Sequence, residues 1–232
     1  MNNSIFEAVK EDFEKRSKEV SKYFMFLKSL EQGTTKLTIG NGNKRIKTRE
    51  IDSELEKTLK ASGFLLLYNL VEATMRNAIE AIFDELRSQK VSFNKIKPGI
   101  KKIILHNIKN LKVSDEVISQ ITDISIHIVN TGFNKEKLFS GNIDGRVIKT
   151  IAQDYGFSCE TDARKTGNGS DLLTIKSNRN DLAHGIKSFA EVGREKSADE
   201  LVKIKSKVIK YLKQILLNIE KYLFQKEYLH SI

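Results

Sequence analysis

The stretch Phe64-Leu65-Leu66-Leu67-Tyr68 sits inside a run that carries no charge from Ala61 to Val71, in a segment without proline from Ser53 to Arg87. A segment of that length reads as a helix, and its middle is apolar on every side. Such a helix is stable only where neighbours bury it all round, so this one is central and the remaining chain has to supply its shell. The sequence has one proline, Pro98, and no linker rich in Gly or Ser, which leaves the shell to helices as well.

The helical period recurs along the chain. Residues 4–31 place Phe6, Val9, Phe13, Val20, Phe24, Leu27 and Leu30 at three- and four-residue steps, an amphipathic helix that ends at Gly33. From Lys36 to Thr48 the pattern changes to a weak alternation through Leu37 and Ile39 around Gly40-Asn41-Gly42-Asn43, as in a short hairpin or a loop. Ser53-Glu54-Leu55-Glu56 reads as a capping box for the central helix. Pro98 suits the first turn of a helix with Ile100, Ile103, Ile104 and Ile108, and Ser114 suits the cap of another with Val117, Ile118, Ile121, Ile124 and Ile128. A loop follows to Gly141, Asp144 opens a helix with Val147, Ile148 and Ile151, and Thr161 to Ser170 is polar and contains Gly. Next, Leu172, Ile175, Leu182, Ile186 and Phe189 share one helical stripe, and Ser197-Ala198-Asp199-Glu200 is a second capping box ahead of Leu201, Ile204, Val208, Leu212, Ile215, Ile219 and Tyr222. The expected fold is an all-α bundle of about seven helices with at most one short β-hairpin near residues 36–48. Residues 1–50 read as an N-terminal helix with a hairpin or loop appendage, and residues 51–232 as the helical domain.

Chemistry concentrates in Lys176-Ser177-Asn178-Arg179-Asn180-Asp181-Leu182-Ala183-His184-Gly185. Arg179 falls on the apolar stripe, and a guanidinium there must meet an anion or a buried partner, because an unpaired buried charge is strongly unfavourable. Metal-free RNA cleavage needs a base for the 2′-hydroxyl, donors for the phosphorane and an acid for the leaving oxygen. His184 is of the type that moves protons near neutral pH, Arg179 presents a fork of donors to phosphate oxygens, and Asn180 suits orienting His184 or the phosphate. Glu72 and Arg76, the first charges after the uncharged run, lie one helical turn apart. An ordinary i,i+4 ion pair explains them, with a stabilisation of about 0.2–0.5 kcal/mol.

Forty Lys and Arg against thirty Asp and Glu give a formal charge of +10 and favour polyanionic partners such as RNA. The cations are mostly Lys spread over every helix, so a solubilising surface reads equally well from charge alone. Lys176, Lys187 and Arg194, near the motif, are the candidate RNA contacts. No stretch approaches the length of a membrane span, the acidic N-terminus does not resemble a signal peptide, and the single Cys159 fits a reducing cytoplasm. His106, His127 and His230 stand in separate segments without metal-ligand spacing, so neither a metal nor a cofactor is expected. Gly167-Asn168-Gly169 lacks the lysine of a phosphate loop and reads as a turn.

Arg179, the polar Asn180 directly after it and His184 in RNDLAHG resemble the Arg-x4-6-His motif of the HEPN superfamily of small α-helical domains. The resemblance extends from about Leu55 to Tyr222, and the string from SDLLTIKSNRNDLAHG through SFAEVGRE is similar to the stand-alone prokaryotic nuclease branch. It implies a metal-independent endoribonuclease, a toxin or antiviral effector that leaves 2′,3′-cyclic phosphate (or 3′-phosphate) and 5′-hydroxyl ends, with an antitoxin or defence-system protein as a partner. It also implies that Glu72 supports the site. Toxins of this superfamily that are silenced by a nucleotidyltransferase antitoxin carry a Tyr two residues after the motif His, where this chain has Ile186. The rival readings are a non-catalytic HEPN module that binds RNA or a protein, and a structural helical protein in which Arg179 and His184 are satisfied internally.

Helix geometry adds a constraint. At about 100° per residue, Asn180 and His184 lie about 40° apart, whereas Arg179 and His184 lie about 140° apart. The arginine side chain can sweep round, the helix can loosen near Gly185, or a second copy can complete the site. The HEPN resemblance implies the third, a homodimer with a composite active site.

Overall fold

The computed structural model describes residues 4–41, 44–109, 128, 129, 131–133, 138, 139 and 141–230. The elements in chain order are α1 (Ser4–Glu31), β1 (Leu37–Asn41), β2 (Lys44–Arg49), α2 (Ser53–Ser88), α3 (Pro98–Lys109), α4 (Gly145–Tyr155), α5 (Ala163–Thr166), α6 (Asp171–Ala183), α7 (Phe189–Arg194) and α8 (Ala198–Phe224). The fold is an all-α bundle, and α5 is a single turn. The expected helix from Ser114 lies outside the described residues, apart from its last position. β1 and β2 pair antiparallel, with Leu37 opposite Arg49 and Thr38 opposite Thr48, which bears out the hairpin.

The chain divides into two compact units, and α1, α2 and α8 each contribute one part to either. The first contains residues 1–12, 72–161 and 212–232. Its core includes a chain of aromatic rings. Phe133 stacks on Phe83 at 4.3 Å, Phe83 meets Tyr155 edge-on at 6.1 Å, and Tyr155, Phe157, Tyr222 and Tyr228 continue the series. The Tyr222 hydroxyl donates to the Tyr155 carbonyl at 2.7 Å, the partner that a buried phenol requires. Burial pushes the Tyr222 and Tyr155 hydroxyls well above the usual tyrosine range, so both stay protonated. An isolated antiparallel bridge between Ile96 and Leu229 ties down the segment after α8.

The second unit contains residues 13–71 and 162–211, and so both halves of the motif string. In the apolar middle of α2, Phe64, Leu67, Tyr68, Leu70 and Val71 are inaccessible, whereas Leu65 and Leu66 are half-buried and Asn69 is exposed, so neighbours cover most of the helix but not all of its circumference. Phe24 of α1 packs against Gly63, and the Tyr23 hydroxyl donates to the Leu59 carbonyl at 2.6 Å. Two acids gather at the first turn of α8, where free N–H groups attract negative charge. Ser197 and Glu200 form the expected capping box, and Glu31 accepts the Ala198 N–H at 2.8 Å. The cap of α2 differs from the sequence reading by one residue. Asp52, not Ser53, accepts the Leu55 N–H, at 2.8 Å. An aspartate carboxylate is as good an N-cap as a serine hydroxyl and also carries the charge that the helix end favours.

The closest backbone approach in this unit is at Gly193 of α7. A Cβ there would lie 1.9 Å from the Lys57 carbonyl oxygen of α2. Gly193→Ala is therefore expected to lower stability by about 2 kcal/mol through overpacking, read as a lower urea midpoint at unchanged m-value. Gly63→Ala meets only the edge of the Phe24 ring at 3.1 Å and should cost less. Equal midpoints for wild type and Gly193→Ala would contradict this packing.

Candidate active site

Helix α6 turns Leu172, Ile175 and Asn178 inward as its buried positions. The Asn178 amide donates to the Thr174 carbonyl at 3.0 Å, which accommodates a polar group among apolar ones. Arg179 follows on the same stripe, four residues after Ile175, and is half-buried. Its guanidinium carbon lies 4.6 Å from the centroid of the Tyr68 ring of α2, over the aromatic face. Its Nη1 donates to the Asn180 Oδ1 at 2.9 Å. The cation on the apolar stripe thus has a π face on one side and an amide oxygen at its edge.

The Arg179–Asn180 hydrogen bond bears on the angular problem. It draws the arginine head to a side chain that leaves the helix within about 40° of His184.

The helix ends at the histidine. The His184 N–H donates to the Asn180 carbonyl at 3.0 Å, the Gly185 N–H to Leu182 at 3.3 Å and the Ile186 N–H to Asp181 at 2.8 Å. This is a Schellman motif with Gly185 in the left-handed region at φ +66°. The sequence reading carried the stripe on through Ile186 and Phe189, and the structure corrects it. Both residues lie past the helix end, and Ile186 is 68% exposed. A glycine that adopts positive φ without strain overrides apolar periodicity at a helix terminus. His184 is exposed as a result, and among the described residues its imidazole makes no hydrogen bond.

The turn beyond is held on both sides. Lys187 Nζ reaches Glu195 at 2.8 Å and Asp181 at 3.2 Å, and these two carboxylates, Glu195 foremost, hold its ammonium above the usual lysine range. Ser188 and Glu191 form a capping box for α7, and the Ser188 N–H holds the Glu191 carboxyl below its ordinary range. Of the three candidate RNA contacts, Lys187 is thus engaged by acids, Lys176 is half-buried and Arg194 is exposed. Glu72 and Arg76 form their ion pair on α2, and Arg76 also donates to the Leu138 carbonyl at 3.4 Å. They belong to the first unit, and Arg179, Asn180 and His184 to the second. Among the described residues no group of His, Cys, Asp and Glu is arranged to hold a metal ion, and no helix is long and apolar enough to cross a membrane.

Residues 5–228 match the model of the MAE_28990-like HEPN family. The chain belongs to this HEPN family. No curated protein and no solved structure matches the chain. In this HEPN protein the sequence reading missed Tyr68 as a site residue. The available signal was a phenol closing the apolar run from Phe64 in a central helix. What the sequence lacked was any indication that its ring would lie under Arg179.

The αL residue gives a direct test of the turn. Gly185→Ala should destabilise the HEPN fold by about 1 kcal/mol, and Gly185→Asn by less, because asparagine tolerates the left-handed region. No heavy atom lies within 4 Å of a Cβ built there, so any loss comes from backbone strain and not from a clash. Thermal unfolding that ranks alanine level with glycine would refute the assignment of this turn.

Proposed function

We propose that the protein is a metal-independent endoribonuclease whose site consists of Arg179, Asn180 and His184. The supporting observation is the pairing of an exposed imidazole with an arginine that its neighbours hold in place. Arg179 is fixed by the Tyr68 ring and by Asn180, while His184 stands at the helix end. In this reading Arg179 presents N–H donors to the scissile phosphate and neutralises charge as the 2′-oxygen attacks phosphorus. His184 transfers protons, and Asn180 positions the guanidinium. The attack displaces the 5′-oxygen and leaves a 2′,3′-cyclic phosphate and a 5′-hydroxyl. Membership of a HEPN family supports this chemistry, and a role as a toxin or antiviral effector, with an antitoxin or defence-system partner, is part of the proposal.

Both Arg179→Ala and His184→Ala should abolish RNA cleavage and leave the helical circular dichroism spectrum intact. Cleavage is also expected to proceed in EDTA, because each step is assigned to a side chain. The assay is purified protein with total RNA and mapping of the ends. Wild-type rates from either variant would refute the site.

The reading extends to a homodimer. One exposed histidine provides one proton-transfer group, whereas the reaction needs a base and an acid, and a two-fold axis through the motif would bring a second. Leu173, Ile186 and Phe189, exposed apolar side chains around His184 in sequence, are the surface that such a partner would cover. Mixing the two inactive variants under exchange conditions should restore part of the activity. Full activity of a monomer at nanomolar concentration would exclude the shared site.

A further inference from the structure

Helix α8 buries one face and presents the other to solvent. Leu201, Val208, Leu212, Ile215, Ile219 and Tyr222 are inaccessible, as the amphipathic period requires. On the outer face Lys203, Lys207, Lys210, Lys213 and Lys221 are all exposed. At about 100° and 1.5 Å per residue these lysines fall within an arc of about 120° along about 27 Å of helix. Two apolar side chains stand in the same row, Leu217 at 51% and Phe224 at 76% exposure.

The sign of this row is unusual for a solvated helix. From Lys203 to Phe224 the sequence has one acid, Glu220, and that carboxylate is engaged by Lys10 at 2.7 Å. The exposed face of α1 shows the ordinary pattern, with Glu11, Glu14 and Glu19 interspersed among Lys15, Lys18 and Lys22. Mixed signs stabilise a helix through i,i+4 pairs, whereas like charges at that spacing oppose it. Within the helix a row of one sign carries a small cost that an opposite charge laid along it would relieve, as the Asp171 carboxylate of α6 does in part for Lys207, at 3.7 Å. From Lys203 to Lys213 successive cations rise by about 4.5–6 Å, of the order of the charge spacing along a nucleic-acid strand, and Lys221 follows about 12 Å further on.

We infer that the exposed ridge of α8 is a track for the backbone of single-stranded RNA, with Phe224 as a stacking platform for an unpaired base. The inference rests on the ribonuclease reading and names where its RNA lies. Lysine ammonium groups contact successive phosphates and release counterions, and an exposed phenyl ring offers a face that any base can stack on. A single strand fits better than a duplex, because only unpaired bases are free to stack on a side chain.

The test uses the full chain carrying His184→Ala, so that the RNA stays intact, with fluorescence anisotropy on a labelled unstructured oligouridine. Replacing Lys203, Lys207, Lys210 and Lys213 by Gln should weaken binding at least about tenfold and reduce the salt slope, d log K/d log[salt], by about 3. Replacing Lys15, Lys18, Lys22 and Lys90, four exposed lysines elsewhere, changes net charge equally and should leave the slope nearly unchanged. Phe224→Ala should cost about fivefold or more with the single strand and nothing with a duplex hairpin. Equal losses from both lysine sets would overturn the ridge, and so would tighter binding of the duplex. The two readings separate when cleavage is measured beside binding, with His184 restored. Cleavage by the otherwise wild-type chain with a KM indifferent to the four ridge lysines overturns the track alone. Ridge-dependent binding without cleavage overturns the ribonuclease alone and leaves the track.

Discussion

The contact between the Arg179 guanidinium and the Tyr68 ring resolves the main conflict in this sequence. A permanently charged side chain occupies a helical stripe whose other members are buried, and an apolar environment on that side would expel it. The aromatic face accepts the cation without itself bringing a counter-charge. A carboxylate in the place of Tyr68 would hold the arginine equally well but would cancel its charge. The Asn180 Oδ1 bond completes the restraint with a neutral acceptor.

Next to this fixed cation the chain ends its helix abruptly. The Schellman turn at Gly185 makes His184 the C-cap of α6 and exposes Ile186. Lys187 then bridges Asp181 on one side of the turn and Glu195 on the other, and the Ser188–Glu191 box starts the next helix at once. A turn held by backbone bonds, an ion-pair bridge and a capping box has little freedom to wander. The imidazole is thus exposed on a restrained backbone, a favourable arrangement for the proton-transfer role proposed for it.

Charge is distributed on the same principle of local assignment. The formal +10 gives only a general preference for polyanions. Lys187 is already bridged between acids and Arg179 lies over a ring, so the cations nearest the motif in sequence are not interchangeable with those on the outer face of α8. What distinguishes that face is the lack of interspersed acids, a property of pattern and exposure together.

The sequence by itself determined the helical class, because one proline and three- and four-residue apolar steps leave few alternatives. It also determined the central place of α2, because the Phe64–Tyr68 run has no polar side to turn outward. It marked the chemical string at Arg179, Asn180 and His184 through residue type and order alone. Local chemistry fixed some boundaries equally well, as at the Ser197–Glu200 box and the Asp144 cap, whose bonds span neighbouring residues. Where two local signals competed, periodicity gave the wrong answer. It carried α6 past Gly185, although the positive φ available to glycine ends the helix there; at α2 the Ser53–Glu56 capping-box pattern hid the better cap at Asp52. Only the tertiary structure decided what lies under Arg179 and which lysines are already engaged. The Arg179–Tyr68, Lys10–Glu220 and Lys207–Asp171 contacts join residues far apart in the chain, and their geometry depends on how helices pack, a property that no local period or propensity encodes.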